Sequence, residues 1–134
     1  MTFEFDRSVI GTEFDRTAFA PISAEEIRVY AAASGEPCPA PDLAPPTFVL
    51  RQRGDRFMPA NIAKLGRFGF DAGKDIDFGV PVRVGDVLTA VSTVHDIYEK
   101  TGRSGSMGFV ILRTVLTNQH GEQVAVIDQK MMFR

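Results

Sequence analysis

Ser23-Ala24-Glu25-Glu26-Ile27-Arg28-Val29-Tyr30-Ala31-Ala32-Ala33-Ser34-Gly35 is a stretch whose start and stop are both written in residue types. Ser23 with Glu26 three residues on is a capping box: the hydroxyl accepts from the Glu26 backbone N–H, and the Glu26 carboxylate reaches back to the Ser23 N–H. Ile27, Tyr30, Ala31 and Ser34 follow the i, i+3, i+4, i+7 spacing of one helical face, and Ala31, Ala32 and Ala33 keep the helix thin enough for a sheet to approach it closely. Gly35 supplies the left-handed residue on which such a helix ends. One helix is therefore expected from Ser23 to Gly35.

On its N-terminal side, Phe3, Phe5, Val9, Ile10, Phe14 and Phe19 are separated by charges and by Gly11, a pattern of extended pieces and turns with no strong helix. On its C-terminal side, Glu36 to Pro46 holds five of the chain's eight prolines. That density excludes a helix interior or a central strand and predicts an irregular loop. Thr47 to Arg53 and Pro59 to Leu65 each read as a short helix with proline at or near its start.

From Lys74 onward the pattern is that of strands: Asp75 to Val82, a Gly85-Asp86 turn, Val87 to Lys100, a Thr101-to-Gly105 turn, Ser106 to Asn118, a His120-Gly121 turn and Gln123 to Phe133. The expectation is an antiparallel meander. In Phe109 to Leu116 both alternating sets are apolar, so this strand should be covered on both faces. One helix cannot supply both covers, and a second copy or a homologous partner is expected to pair with the sheet or pack on it. An extended N-terminus, one central helix, an irregular segment and long antiparallel strands make an α+β chain. We expect a single hot-dog domain over residues 1–134, a curled antiparallel sheet wrapped around one central helix.

Composition narrows the partners. Across 134 residues, 15 Lys and Arg face 17 Asp and Glu, a net charge of −2 with no basic block. Neither a nucleic acid nor an anionic membrane surface has an electrostatic footprint here. Apolar residues make up 44% and charged residues 24%, the balance of a chain that folds around a core. One cysteine, Cys38, forbids an internal disulfide and a cysteine-based zinc site, and His95 and His120 leave little for any other metal. No metal or cofactor is expected, and the cytoplasm is the expected location.

Tyr30-Ala31-Ala32-Ala33-Ser34-Gly35-Glu36-Pro37-Cys38-Pro39 resembles the hydratase signature of the MaoC-like family, which includes R-specific enoyl-CoA hydratases and (3R)-hydroxyacyl thioester dehydratases. Ala44-Pro45-Pro46-Thr47-Phe48, Val82-Arg83-Val84-Gly85-Asp86-Val87-Leu88 and Asp96 to Gly105 continue the resemblance in order along most of the chain. Within the family the chain most resembles the N-terminal FAS1-like dehydratase domains, among them subunits that pair with a catalytic chain.

The resemblance implies an acyl thioester as ligand, carried by coenzyme A or a carrier protein, and a homodimer or a heterodimer with a second MaoC-like chain. It also implies site residues. In catalytic members an Asp and a His hold the water that crosses the α,β bond of the thioester, one as base and one as acid. Glu36 stands in the Asp position and Pro41, with neither proton nor lone pair to offer, in the His position, while Asp42 next door is the candidate second carboxylate. Tyr30, Ala44, Pro46 and Thr47 are expected along the substrate, and Lys100 and Arg103 near its phosphates.

Without the resemblance these residues read more plainly. Glu36 is a solvated carboxylate after a helix-ending glycine, Tyr30 and Ser34 are core and helix-end residues, and Lys100 and Arg103 belong to a hairpin turn. His95 is a partly exposed strand residue and His120 a surface one. Three functions remain open on the sequence: a hydro-lyase using Glu36, a catalytically silent thioester-binding subunit, and a hot-dog thioesterase working through a single carboxylate.

Overall fold

The computed structural model describes residues 6–59 and 69–134. The expected helix α1 runs over Ala24–Ser34 with both halves of its capping box formed: Glu26 N donates to Ser23 Oγ at 3.1 Å and Ser23 N to Glu26 Oε2 at 2.8 Å. Gly35 closes it at φ 71°, its N–H donating to Ala31 O. Ser23→Ala removes one end of that box and is expected to lower stability by about 1 kcal/mol. Circular dichroism during urea unfolding reads the change as a lower midpoint with an unchanged slope.

Among the described residues five strands form one antiparallel sheet: β1 (Glu13–Ala18), β2 (Gly69–Phe78), β3 (Thr89–Gly102), β4 (Gly105–Thr117) and β5 (Gln123–Phe133). Their spatial order is β1-β3-β4-β5-β2. The simple meander is thus corrected. β2 does not pair with β3 across the Gly85-Asp86 turn but lies on the far edge beside β5, from Gly69 opposite Phe133 to Phe78 opposite Ala125. The strand expected at Asp75 to Val82 begins earlier and stops at Phe78.

The reason lies in residues 79–88. Gly79 N and Val80 N donate to Val124 O and Gln123 O, prolonging the alignment with β5, and Pro81 then has no N–H with which to continue. Beyond it the chain crosses to the proline-rich loop, where Ala44 N donates to Val82 O and Leu43 bridges Arg83. Gly79 has no room for a side chain, since a Cβ there would lie 2.0 Å from Gln123 O.

The β3–β4 hairpin is longer than expected, closing between Gly102 and Gly105 on a two-residue Arg103-Ser104 turn. Glu36 to Pro45 is irregular, as the prolines require. The short helix expected at Thr47 to Arg53 is a 3-10 helix at Pro46–Arg51. The one expected at Pro59 to Leu65 lies, beyond Pro59, outside the described residues.

The sheet has two unlike faces. On the inner face Ala90, Leu112, Leu116, Ala125 and Ile127 are buried, and Ile27 of α1 with Phe48 and Val49 of the 3-10 helix covers part of it. Of the helix face drawn from spacing, Ile27 is buried and Tyr30 and Ala31 half-buried, whereas Ser34 is exposed past the sheet. On the outer face Phe109, Ile111 and Val115 are only half-buried in the single chain. Arg113 there grips Asp128 with two bonds of 2.7 and 2.8 Å, and that guanidinium holds the Asp128 carboxyl below the usual carboxylate range. No helix among the described residues is long and apolar enough to cross a membrane.

Candidate active site

The left-handed turn at Gly35 ends α1 and points the chain back toward the sheet, so that Glu36 leaves the helix half-buried. Eleven residues later the 3-10 helix that starts at Pro46 presents Thr47, while its next residue, Phe48, is fully buried and anchors the turn. Tyr30 packs edge-on against that Phe48 ring, with centroids 5.5 Å apart and planes at 85°. These anchors converge on one polar group. The Thr47 hydroxyl donates to Glu36 Oε2, and the Tyr30 hydroxyl lies 2.6 Å from Thr47 Oγ1. A threonine hydroxyl has one proton, so if Thr47 gives it to Glu36, Tyr30 must be the donor to Thr47. The three side chains form a directional chain, Tyr30 to Thr47 to Glu36, that ends on a carboxylate.

Beside this cluster in the chain, Pro39, Ala44 and Pro46 line a pocket of about 140 Å³ together with Val49, Phe78 and Val124. Its wall is almost wholly apolar. A largely apolar cleft beside a few convergent polar groups is the usual form of a small-molecule site. Phe78, at the end of edge strand β2, remains 52% exposed and leaves that side of the pocket open.

The other candidates lie elsewhere. Asp42 is exposed, and its Oδ2 accepts from Arg83 Nη1 at 2.9 Å with both side chains 58% exposed. A surface pair of this kind contributes little energy, but it directs the Asp42 carboxylate to Arg83. Pro41 is exposed. Lys100 sits on the outer face of the β3–β4 hairpin, 5.7 and 5.6 Å from the centres of the stacked Tyr98 and Phe109 rings, and Arg103 is exposed at the hairpin tip. Tyr30, Thr47 and Glu36 are thus brought together with Ala44 and Pro46 alongside, whereas Lys100 is on the opposite face of the sheet. His95 is exposed at a bulge of β3 and His120 in its turn. Cys38 is a free thiol packed against the main core. Among the described residues no group of three or more His, Cys, Asp or Glu is placed to hold a metal.

Two contributions were not singled out in the sequence. Phe78 and Val124 enter the pocket from β2 and β5, and Ile76-Asp77-Phe78 carries the alternation that puts Phe78 on the inner face. Arg83, the partner of Asp42, carries no local signal, because the two residues meet across the crossing described above.

The FAS1-like, dehydratase domain region family matches residues 8–127. A UPF0336 protein of Streptomyces coelicolor is 28% identical, with 96% of this chain and 95% of that protein aligned. Among solved structures, the C-terminally truncated HadBC (3R-hydroxyacyl-ACP dehydratase) complex of Mycobacterium tuberculosis superposes with a TM-score of 0.67 at 22% identity, covering 92% of this chain and 96% of that one. A MaoC-like dehydratase of Rhodospirillum rubrum gives 0.65 at 22% identity over 92% and 91%. An unliganded R-hydratase of Pseudomonas aeruginosa gives 0.64 at 21% identity over 92% and 81%. With five antiparallel strands curled about one main helix and a family match over nearly its whole length, the chain belongs to the FAS1-like dehydratase family, on the hot-dog fold of the MaoC-like hydratases and dehydratases.

Proposed function

We propose that this chain is the acyl-thioester-binding half of a MaoC-like dehydratase, pairing with a second MaoC-like chain that supplies the acid–base pair for interconverting 3-hydroxyacyl and 2-enoyl thioesters. One observation carries the reading. Glu36 is bonded into a Tyr30–Thr47–Glu36 chain, and Pro39, Ala44 and Pro46 of the same stretch of sequence line an apolar pocket, but the neighbouring position where a MaoC-like site keeps its histidine is Pro41, and Asp42 is engaged by Arg83. On this reading the pocket takes the substrate and Glu36 is the oriented carboxylate, and among the described residues no histidine or second carboxylate is hydrogen-bonded with it. The HadBC complex, a dehydratase built of unlike chains, supports the same reading by its architecture.

In this role the pocket formed by Ala44, Pro46, Val49, Phe78 and Val124 takes the start of the acyl chain, and Thr47 follows Pro46 of that wall directly in the sequence. A second reading, hydro-lyase activity of this chain alone, is favoured by the same hydroxyl chain, since a general base works best when its orientation is held by a neighbour. Calorimetric titration of a medium-chain trans-2-enoyl-CoA into the purified chain tests the binding role. Saturable binding is expected, weakened roughly tenfold by Thr47→Val, equivalent to about 1.4 kcal/mol, because Tyr30 and Glu36 both lose their shared partner. Absence of binding by the wild-type chain overturns the proposal.

A further inference from the structure

Alternation along β3, β4 and β5 places Ser92, Thr114 and Gln129 on the inner face, and the register sets Ser92 opposite Thr114 and Gln129 opposite Leu112. Three polar side chains thus interrupt an otherwise apolar face. They border a cavity of about 70 Å³ whose other wall is the residue 52–57 segment. Among the described residues this cavity shares no lining residue with the pocket of Ala44 and Phe78: Val49 of the 3-10 helix lines that pocket and Leu50 this one. The 52–57 wall is fastened to β1. Asp55 N donates to Thr17 Oγ1 at 3.0 Å and Arg56 N to Asp15 Oδ1 at 3.2 Å, and Gly54 has no room for a side chain, since a Cβ there would lie 2.0 Å from Asp15 Oδ2.

The groups around the cavity are not used up by one another. Gln52 is only 7% exposed and lines the cavity, and its side-chain amide has no hydrogen-bond partner among the described residues. Gln129, equally buried, directs its amide hydrogens to Asp71 Oδ1 at 2.6 Å and to backbone carbonyls, which leaves its Oε1 an acceptor without a donor among the described residues. The Ser92 and Thr114 hydroxyls lie 2.8 Å apart, so one donates to the other and a second hydrogen is left over. Buried polar groups take partners, from the protein or from what it binds. At the rim, Arg53 and Arg56 are exposed, and among the described residues neither is in an ion pair. Lys74, by contrast, is held by Asp71 at 3.1 Å. Asp15 and Asp71 are not part of the lining, and their carboxylates already accept from the Arg56 and Gly73 backbone N–H groups.

These groups define the ligand. Donors and an acceptor set around one space suit a hydroxyl, which both gives and takes a hydrogen bond; a keto oxygen would leave Gln129 Oε1 unmet. Two unpaired guanidiniums suit a carboxylate. Leu50, Leu112 and Ile127 add an apolar wall that a bare inorganic anion does not use, and a volume about half of the roughly 150 Å³ that holds a benzene ring limits the buried part to a few carbons. We infer that this cavity is a binding site for a short-chain hydroxy acid, with its carboxylate at Arg53 and Arg56 and its hydroxyl among Gln52, Gln129 and the Ser92–Thr114 pair. The site is separate from the thioester pocket and stands whether or not that proposal holds.

Titration of 3-hydroxybutyrate into the isotope-labelled chain, followed by heteronuclear NMR, reads place and affinity together. Saturable shifts of the Gln52 and Gln129 side-chain amides are expected. Butyrate, which lacks the hydroxyl, and 1,3-butanediol, which lacks the carboxylate, should each bind roughly tenfold more weakly. Gln52→Leu should bind 3-hydroxybutyrate and butyrate alike. Arg53→Gln with Arg56→Gln should weaken 3-hydroxybutyrate and remove the salt dependence of its binding; both positions are exposed, so this pair serves if the leucine variant folds poorly. Three results would overturn the inference: no saturable shift with the wild-type chain, 3-hydroxybutyrate no tighter than butyrate, or shifts at Thr47 and Val124 in place of Gln52 and Gln129, which would put the acid in the other pocket. The enoyl-CoA titration reads the thioester proposal separately, so the failure of one is not mistaken for failure of the other.

Discussion

Phe48→Ala is expected to destabilise the chain by about 3–5 kcal/mol, a large share of the roughly 5–15 kcal/mol that holds a domain of this size together. Phe48 is 0% exposed and lies where the 3-10 helix, α1 and the inner sheet face meet. Its loss removes the edge contact of Tyr30 and the seat of the Arg51 guanidinium, 5.1 Å from the ring centre, and opens a cavity that rigid neighbours fill only in part. The melting temperature should fall by roughly 10–20 °C. Phe48→Leu keeps most of the volume and should cost markedly less. Thermal scans of the two variants against wild type check the ordering, and equal losses would mean that the ring packing is not what matters.

The second large effect is expected at Asp86, only 6% exposed. Its Oδ2 accepts from the Arg83 backbone N–H at 2.8 Å and its Oδ1 from Gln119 Nε2 at 2.9 Å, while Gln119 Oε1 accepts from Val87 N at 3.0 Å. One carboxylate thus fastens the residue 79–88 crossing to the β4–β5 turn. Asp86→Ala leaves a donor without its acceptor and frees Gln119, at a cost of about 2–3 kcal/mol. Asp86→Asn retains an acceptor oxygen and should recover part of it. Hydrogen exchange should locate the damage at Arg83 and Val87, and unaltered protection at those amides would contradict the assignment.

Asp86 also marks where the sequence stopped being readable. Its Gly85-Asp86 pair carries the turn signal of a hairpin, and locally the turn is there, with Gly85 at φ 89°. What a turn signal does not contain is the identity of the strands on either side. β2 leaves its ladder at Phe78, and its true neighbour β5 is the last strand of the chain, so the pairing is decided by long-range packing of Ile76 and Phe78 against Ile127 and Ala125. By contrast the capping box and Gly35 act within a few residues, and α1 begins and ends where they place it. β5 likewise keeps the bounds its alternation predicts.

The site divides in the same way. Glu36, Thr47 and Tyr30 were each marked by motif, but their union depends on Phe48 anchoring one turn against another helix, which spacing alone does not reveal. Asp42 was marked by its neighbourhood to Pro41, and the structure turns its carboxylate to Arg83, forty-one residues away. Lys100 belongs to a hairpin longer than its turn residues suggested, and this puts its ammonium over Tyr98 and Phe109 on the outer face.

The central claim is that this chain binds an acyl thioester without completing the acid–base pair. It is tested most directly by following enoyl-thioester absorbance when the purified chain alone meets trans-2-enoyl-CoA at concentrations that saturate binding. The account predicts bound thioester and constant absorbance. A loss of absorbance that Glu36→Gln abolishes would contradict it, making Glu36 a working base and this chain a hydratase in its own right.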